Sequence, residues 1–158
     1  MKLGFYAVLM LLAPAAVAQA QLDQYVGEWG GYAGWSTSIS GQVDLTSRFV
    51  KTTVKKTSAG AIELTANQWG AKAAMRFDKA AQKFLLNWSA DGFPAVTDLP
   101  LMEAAGGFTG TSTFACDGGE CRATAEIKPK DGGGSDWEMV VTRGRDRFRV
   151  SLTLGKEK

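Results

Sequence analysis

The chain predicts an all-β fold: a single up-and-down antiparallel β-barrel of about ten strands with one short helical lid segment. Two observations carry this reading. Apolar residues recur with a period of two over nearly the whole length beyond residue 20, the pattern of strands with one buried face. Turn-forming clusters separate these runs at near-regular spacing, so that sequential neighbours pair. A meander of that many strands removes its exposed edges by closing on itself.

The first segment reads as a targeting signal. Lys2 gives a positive start, Gly4 to Val17 is apolar and broken by Pro14, and Ala18-Gln19-Ala20 supplies an A-x-A cleavage site. The run is shorter than the ~20 apolar residues a membrane span needs. The expected organisation is a signal peptide over residues 1–20 and one barrel domain over residues 21–158, placed in the periplasm or secreted.

A first strand lies around Tyr25–Tyr32. Ile39, Gly41, Val43 and Leu45 then alternate with polar neighbours, followed by Val50, Thr52 and Val54, by Ile62, Leu64 and Ala66, by Ala73, Met75 and Phe77, and by Phe84, Leu86 and Trp88. The second half continues with Phe108 to Cys116, Cys121 to Ile127, Trp137 to Val141 and Phe148 to Leu154. Thr57–Gly60, Asp78–Ala81, Asp117–Glu120, Asp131–Gly134 and Arg143–Asp146 are the turns between them. Ala90 to Gly107 departs from the pattern. Thr97 or Asp98 suits an N-cap, Pro100 a first turn and Gly106 a helix end, so this segment is expected to be a loop plus a short helix over one mouth of the barrel.

Composition narrows the chemistry. The chain of 158 residues contains no histidine, which excludes Ser-His-Asp and Cys-His catalysis and His-ligated zinc or haem. The formal charge is +2, and Lys2 supplies one of those charges, so nothing points to nucleic acid or an anionic surface as partner. The local bias Arg143, Arg145, Arg147 and Arg149 could form an anion or lipid-headgroup patch, but it reads better as an ordinary solvated turn and strand face. Cys116 and Cys121 flank Asp-Gly-Gly-Glu, a spacing wrong for redox or zinc motifs. In an exported chain they are expected opposite each other across a hairpin, joined by a structural disulfide.

Gly27-Glu28-Trp29 opens the first strand. A G-x-W ahead of a strand meander resembles the calycin superfamily of lipocalins and fatty-acid-binding proteins. That resemblance implies structural roles for Gly27 and Trp29, with Trp29 beneath the barrel floor and an arginine from near the last strand, Arg147 or Arg149, packed over the ring. The fuller run Gly27 to Gly34, the later "DGFPAV" and the following "GGFTG" are similar to nitrobindin-type ten-stranded barrels and to bacterial exported barrels of unknown function. Nitrobindins bind haem through a histidine, so that property does not carry over.

No motif names an active site. The glycines of Gly27 to Gly34 lack the register of a nucleotide loop. Glu63, Glu126 and Asp44 alternate with apolar neighbours and should face solvent, while Asp78, Asp98, Asp117, Asp131 and Asp146 sit in turns or at a cap. The sequence assigns no catalytic residue, no metal ligand and no cofactor. Trp35, Trp69, Met75, Phe77, Trp88, Phe93 and Met102, with Phe84, fall near strand ends and the expected lid. They are the candidate lining of an apolar pocket, and the function expected is binding of a small hydrophobic ligand in the barrel interior. The alternative is a ligand-free envelope interaction or inhibitor protein with a filled barrel. An integral outer-membrane barrel is a third possibility. Strand runs shorter than the ~9–11 residues of membrane strands and the missing aromatic girdles speak against it.

Overall fold

The computed structural model describes residues 15–156. Residues 1–14, most of the expected signal peptide, lie outside the described residues. Ten strands follow in chain order: β1 (Gly27–Ile39), β2 (Gln42–Lys56), β3 (Ile62–Ala66), β4 (Lys72–Asp78), β5 (Lys83–Ser89), β6 (Val96–Ala104), β7 (Gly107–Cys116), β8 (Gly119–Pro129), β9 (Ser135–Arg143) and β10 (Asp146–Gly155). Each pairs antiparallel with its neighbour, and β10 returns to β1, so the sheet is a closed barrel. This is the expected up-and-down order, and it is consistent with a calycin-like barrel.

The short helix is present, but elsewhere in the chain. It is α1, residues 15–23, and it starts within the segment expected to be cleaved. Its Ala18 and Leu22 are buried, Gln19 Nε2 donates to Gly60 O at 3.1 Å, and Asp23 pairs with Lys56 at 3.3 Å. These contacts seat α1 over the floor, the barrel end that holds the β2–β3, β4–β5, β6–β7 and β8–β9 turns. The segment expected to form a helical lid is instead β6 and its turn. Val96, Leu99 and Leu101 are buried there, and Asp98, with φ +52°, marks the irregularity that resets their alternation. Pro100 is accommodated because the ladder to β7 begins only at Met102.

Trp29 lies buried near the floor as the G-x-W resemblance implied, its Nε1 donating to Tyr25 O at 2.9 Å. A side chain at Gly27 would meet the indole at 3.0 Å, so the glycine is what lets the ring lie there. The expected arginine partner is not found at Trp29. Arg147 stands opposite Ser38, near the other barrel end, and Arg149 faces outward, its Nε 2.9 Å from Glu138 Oε2.

The lumen is filled with side chains. Ala33, Val50, Met75, Ala123 and Val141 have no accessible surface, and Ile127, Met139 and Leu152 have about 1%. A void large enough for water would leave accessible area on its walls, so these residues are covered by neighbours in one packed core cluster. The outer wall carries charge: Lys55, Glu63, Arg122, Glu126, Lys128 and Arg149 are exposed at alternate positions. A lipid-facing wall would be apolar there. The strand-length argument against a membrane barrel does not hold, since β1 has 13 residues, β2 15 and β8 11. No helix among the described residues is long and apolar enough to cross a membrane.

One stretch reverses the expected faces. β2 pairs with β1 without a slip from Gly27↔Val54 to Ile39↔Gln42, yet its apolar set changes parity midway. Val50, Thr52 and Val54 point inward, whereas Val43, Leu45 and Phe49 point outward and are 67%, 74% and 52% exposed. Asp44, expected on the outer face, therefore shares the parity of inward-pointing Trp35, above the rim where it stays exposed.

Candidate functional site

The barrel end opposite α1 carries the aromatic cluster. Trp35 projects inward from the upper part of β1. Trp69 sits in the β3–β4 turn with φ +53°, followed by Gly70, also at positive φ. The next upper loop locks this turn in place, Asp91 N donating to Trp69 O at 2.8 Å. The same loop presents Phe93, after Gly92 at φ +75°, a backbone state that favours glycine. The Trp35 and Trp69 centroids are 5.5 Å apart, Trp35 and Phe93 4.6 Å, and Phe93 and Phe148 of β10 5.5 Å. Edge and tilted packings at these distances are favourable aromatic geometries. Trp35, Trp69 and Phe93 are only half-buried, whereas Phe148 beneath them is buried.

Beside the cluster opens a cleft of about 470 Å³, lined among others by Ile39, Phe93, Phe114, Cys116 and Arg143. Arg143 is held at its edge by three contacts: Nη1 donates to Asp117 O at 2.8 Å, Nη2 to Asp146 Oδ2 at 3.4 Å, and the guanidinium carbon lies 5.5 Å from the Phe148 ring centre. Cys116 and Cys121 have their sulfurs at bonding distance, with Cα atoms 5.8 Å apart. They are not directly opposite. Cys116 stands across from Gly119 and Cys121 from Phe114, because the turn is two residues shorter than expected, and the bridge runs diagonally on the inner face. It ties the β7–β8 turn against the wall of the cleft.

The residues expected to form one pocket are thus divided. Trp35, Trp69 and Phe93 meet at the mouth. Met75 is buried in the lumen midway along β4, and Trp88 is buried near the upper end of β5, its Nε1 without a hydrogen-bond partner among the described residues. Phe77 packs on Phe84 at 5.0 Å toward the floor. Met102 is on the outer wall near the floor, 70% exposed, and belongs to no lid. Phe148, Phe114 and Arg143 join the mouth without having been singled out as ligand-lining. Their signal was available: each has inner parity or lies beside an upper turn, and counting from those turns places them at the rim. A separate cleft of about 530 Å³ lies over β3 to β6, lined by outward residues such as Glu63, Asn87 and Thr97 and also by Trp88 and Val96. Among the described residues no group of three or more His, Cys, Asp or Glu side chains is placed to hold a metal.

The chain matches no protein-family model, and no curated protein is similar enough to count as a relative.

Proposed function

We propose that this chain is an exported, calycin-like barrel that binds a small apolar molecule at its upper mouth, with the aromatic cluster as the binding surface. The carrying observation is that Phe93 lines an open cleft and packs on half-exposed Trp35, itself against half-exposed Trp69, while the lumen below is packed. Rigid aromatic faces with few polar groups are what small-molecule sites use to hold apolar guests. Arg143 at the edge favours a guest with an anionic group. This reading moves the ligand from the barrel interior, where the sequence alone pointed, to the rim.

The test is fluorescence titration of anilinonaphthalene sulfonate, an aromatic anion, with the purified protein. The expected result is saturable binding that quenches tryptophan emission. Trp35→Ala and Phe93→Ala should each weaken it about tenfold or more, the loss of roughly 1.4 kcal/mol of ring contact. Unchanged affinity in both variants would refute the mouth as the site. A second reading, a ligand-free interaction or inhibitor protein of the cell envelope, draws support from the filled lumen. It predicts a bare chain mass in native mass spectrometry of protein taken from the periplasm, where the first reading predicts an extractable small molecule.

A further inference from the structure

The upper half of β2 has one edge without a strand. β3 pairs with β2 only over Thr52–Lys56, and Asn67 closes the ladder by bonding Lys51 through both its backbone and its side chain. Above that point, from Gln42 to Val50, β2 has β1 on one side and no strand on the other among the described residues. Apart from Val50 and half-buried Thr46, these residues are exposed. A long exposed edge bearing Val43, Leu45 and Phe49 is the kind of surface that recruits another strand.

The hydrogen-bonding phase of that edge is known. Because Lys51 directs its N–H and C=O toward the β3 side, the odd-numbered Phe49, Ser47, Leu45 and Val43 direct theirs to the open edge. Centring an antiparallel copy of the strand on Thr46 sets Val43 opposite the partner's Phe49 and Leu45 opposite the partner's Ser47. Both are hydrogen-bonded pairs in this phase. The same register sets Asp44 opposite the partner's Arg48, and Arg48 opposite the partner's Asp44. These fall in non-hydrogen-bonded pairs, where facing side chains come closest. Asp44 and Arg48 have no ion-pair partner among the described residues and are exposed. Centring on Leu45 or on Ser47 faces Asp44 with Thr46 or with Val50 instead, so charge selects the Thr46 register. The window also ends where it should: the partner's Gly41 would reach Lys51, whose edge groups are already bonded to Asn67.

We infer that two copies of this chain associate through the upper edges of their β2 strands, antiparallel about Thr46, with the Asp44–Arg48 pairs fixing the register. The arrangement is two-fold and closes on itself, so it gives a dimer and no filament. An interface of one strand pair is small, so the dimer is weak, with a dissociation constant in the micromolar range or above.

Sedimentation equilibrium on the full chain and on two single charge reversals tests this. The wild type is expected to go from monomer to dimer between about 1 µM and 1 mM. Asp44→Arg and Arg48→Asp each put like charges in both contacts and should weaken association by about tenfold or more while leaving thermal stability unchanged, since both side chains are exposed. Mixing the two variants restores both opposite-charge contacts, so a heterodimer should form at wild-type concentrations. A wild type that stays monomeric throughout overturns the proposal. So does a dimer that neither reversal weakens, or single variants whose mixture fails to associate.

Discussion

Tyr25 is the residue that links the floor's packing to a measurable pH effect. Its ring lies 5.6 Å from Trp137 and 6.3 Å from Phe108, and its hydroxyl is buried without a hydrogen-bond partner among the described residues. Burial pushes the phenol well above its ordinary value of 10.0. The unfolded chain ionises this phenol at about pH 10 while the folded chain keeps it neutral. Its effect on stability is therefore absent below about pH 10, and stability falls as the pH rises beyond that. Tyr25→Phe removes an unsatisfied polar group, so the variant should match or exceed the wild type at neutral pH by up to about 1 kcal/mol. It should also lose less stability at pH 11. Urea midpoints of both chains at the two pH values decide this; a variant clearly weaker at pH 7 would mean the hydroxyl has a partner in solution. Such residues also mark how far the sequence could be read. Trp35, Trp69 and Phe93 were legible as a group because each lies a few positions from an upper turn. Met102 was misplaced because its position depended on a helix that does not form, and the depth of Met75 is invisible to an alternation that reports face but not height.

At the scale of elements, the β7–β8 hairpin shows what a diagonal disulfide contributes. Cys116 and Cys121 are separated by five positions, and the strands they join are already paired from Phe108↔Ile127 to Cys116↔Gly119. A loop this short gives an entropic stabilisation of about 2 kcal/mol. The double variant Cys116→Ser, Cys121→Ser is expected to lose about that much in urea unfolding, with the slope unchanged and the far-ultraviolet spectrum intact. Loss of the β spectrum would show instead that the bridge is needed for closure. The strands themselves were the most legible elements, because each buries one face and period-two alternation follows directly. α1 was missed for a different reason. Its residues belong to a stretch whose apolar run and A-x-A site read as an address, and that signal masked the packing of Ala18 and Leu22 on the floor. β6 was misread because Asp98 and Pro100 satisfy the local rules of a helix start, while the competing signal, Leu99 and Leu101 on one face, spans too few residues to outweigh them. The turned face of upper β2 shows the remaining limit: Val43 and Leu45 alternate as cleanly as any core strand, and only the register to β1 places them outside.

For the whole molecule, the decisive property is that the barrel is closed and packed. Closure pairs Gly30 with Gly155, so the two ends of the chain must meet before the barrel is complete. On the proposed reading the packed lumen separates stability from binding, because the residues that hold the barrel together would not be those that face a guest. Met75 has no accessible surface and sits among the strands, whereas Trp35 is half-buried at the rim. Met75→Ala should cost about 2–5 kcal/mol through lost contacts and the cavity it opens. If the guest binds at the mouth, the affinity for anilinonaphthalene sulfonate should be unchanged in that variant at temperatures where it remains folded. Trp35→Ala should do the opposite, with a small loss of stability and a large loss of affinity. Thermal unfolding and probe titration on the same two variants give four numbers, and their crossed pattern is the signature of a rim site over a filled barrel. A Met75→Ala chain that binds the probe more tightly would mean that the guest enters the lumen once room is made there, and the interior would then be the site that the packed wild type closes off.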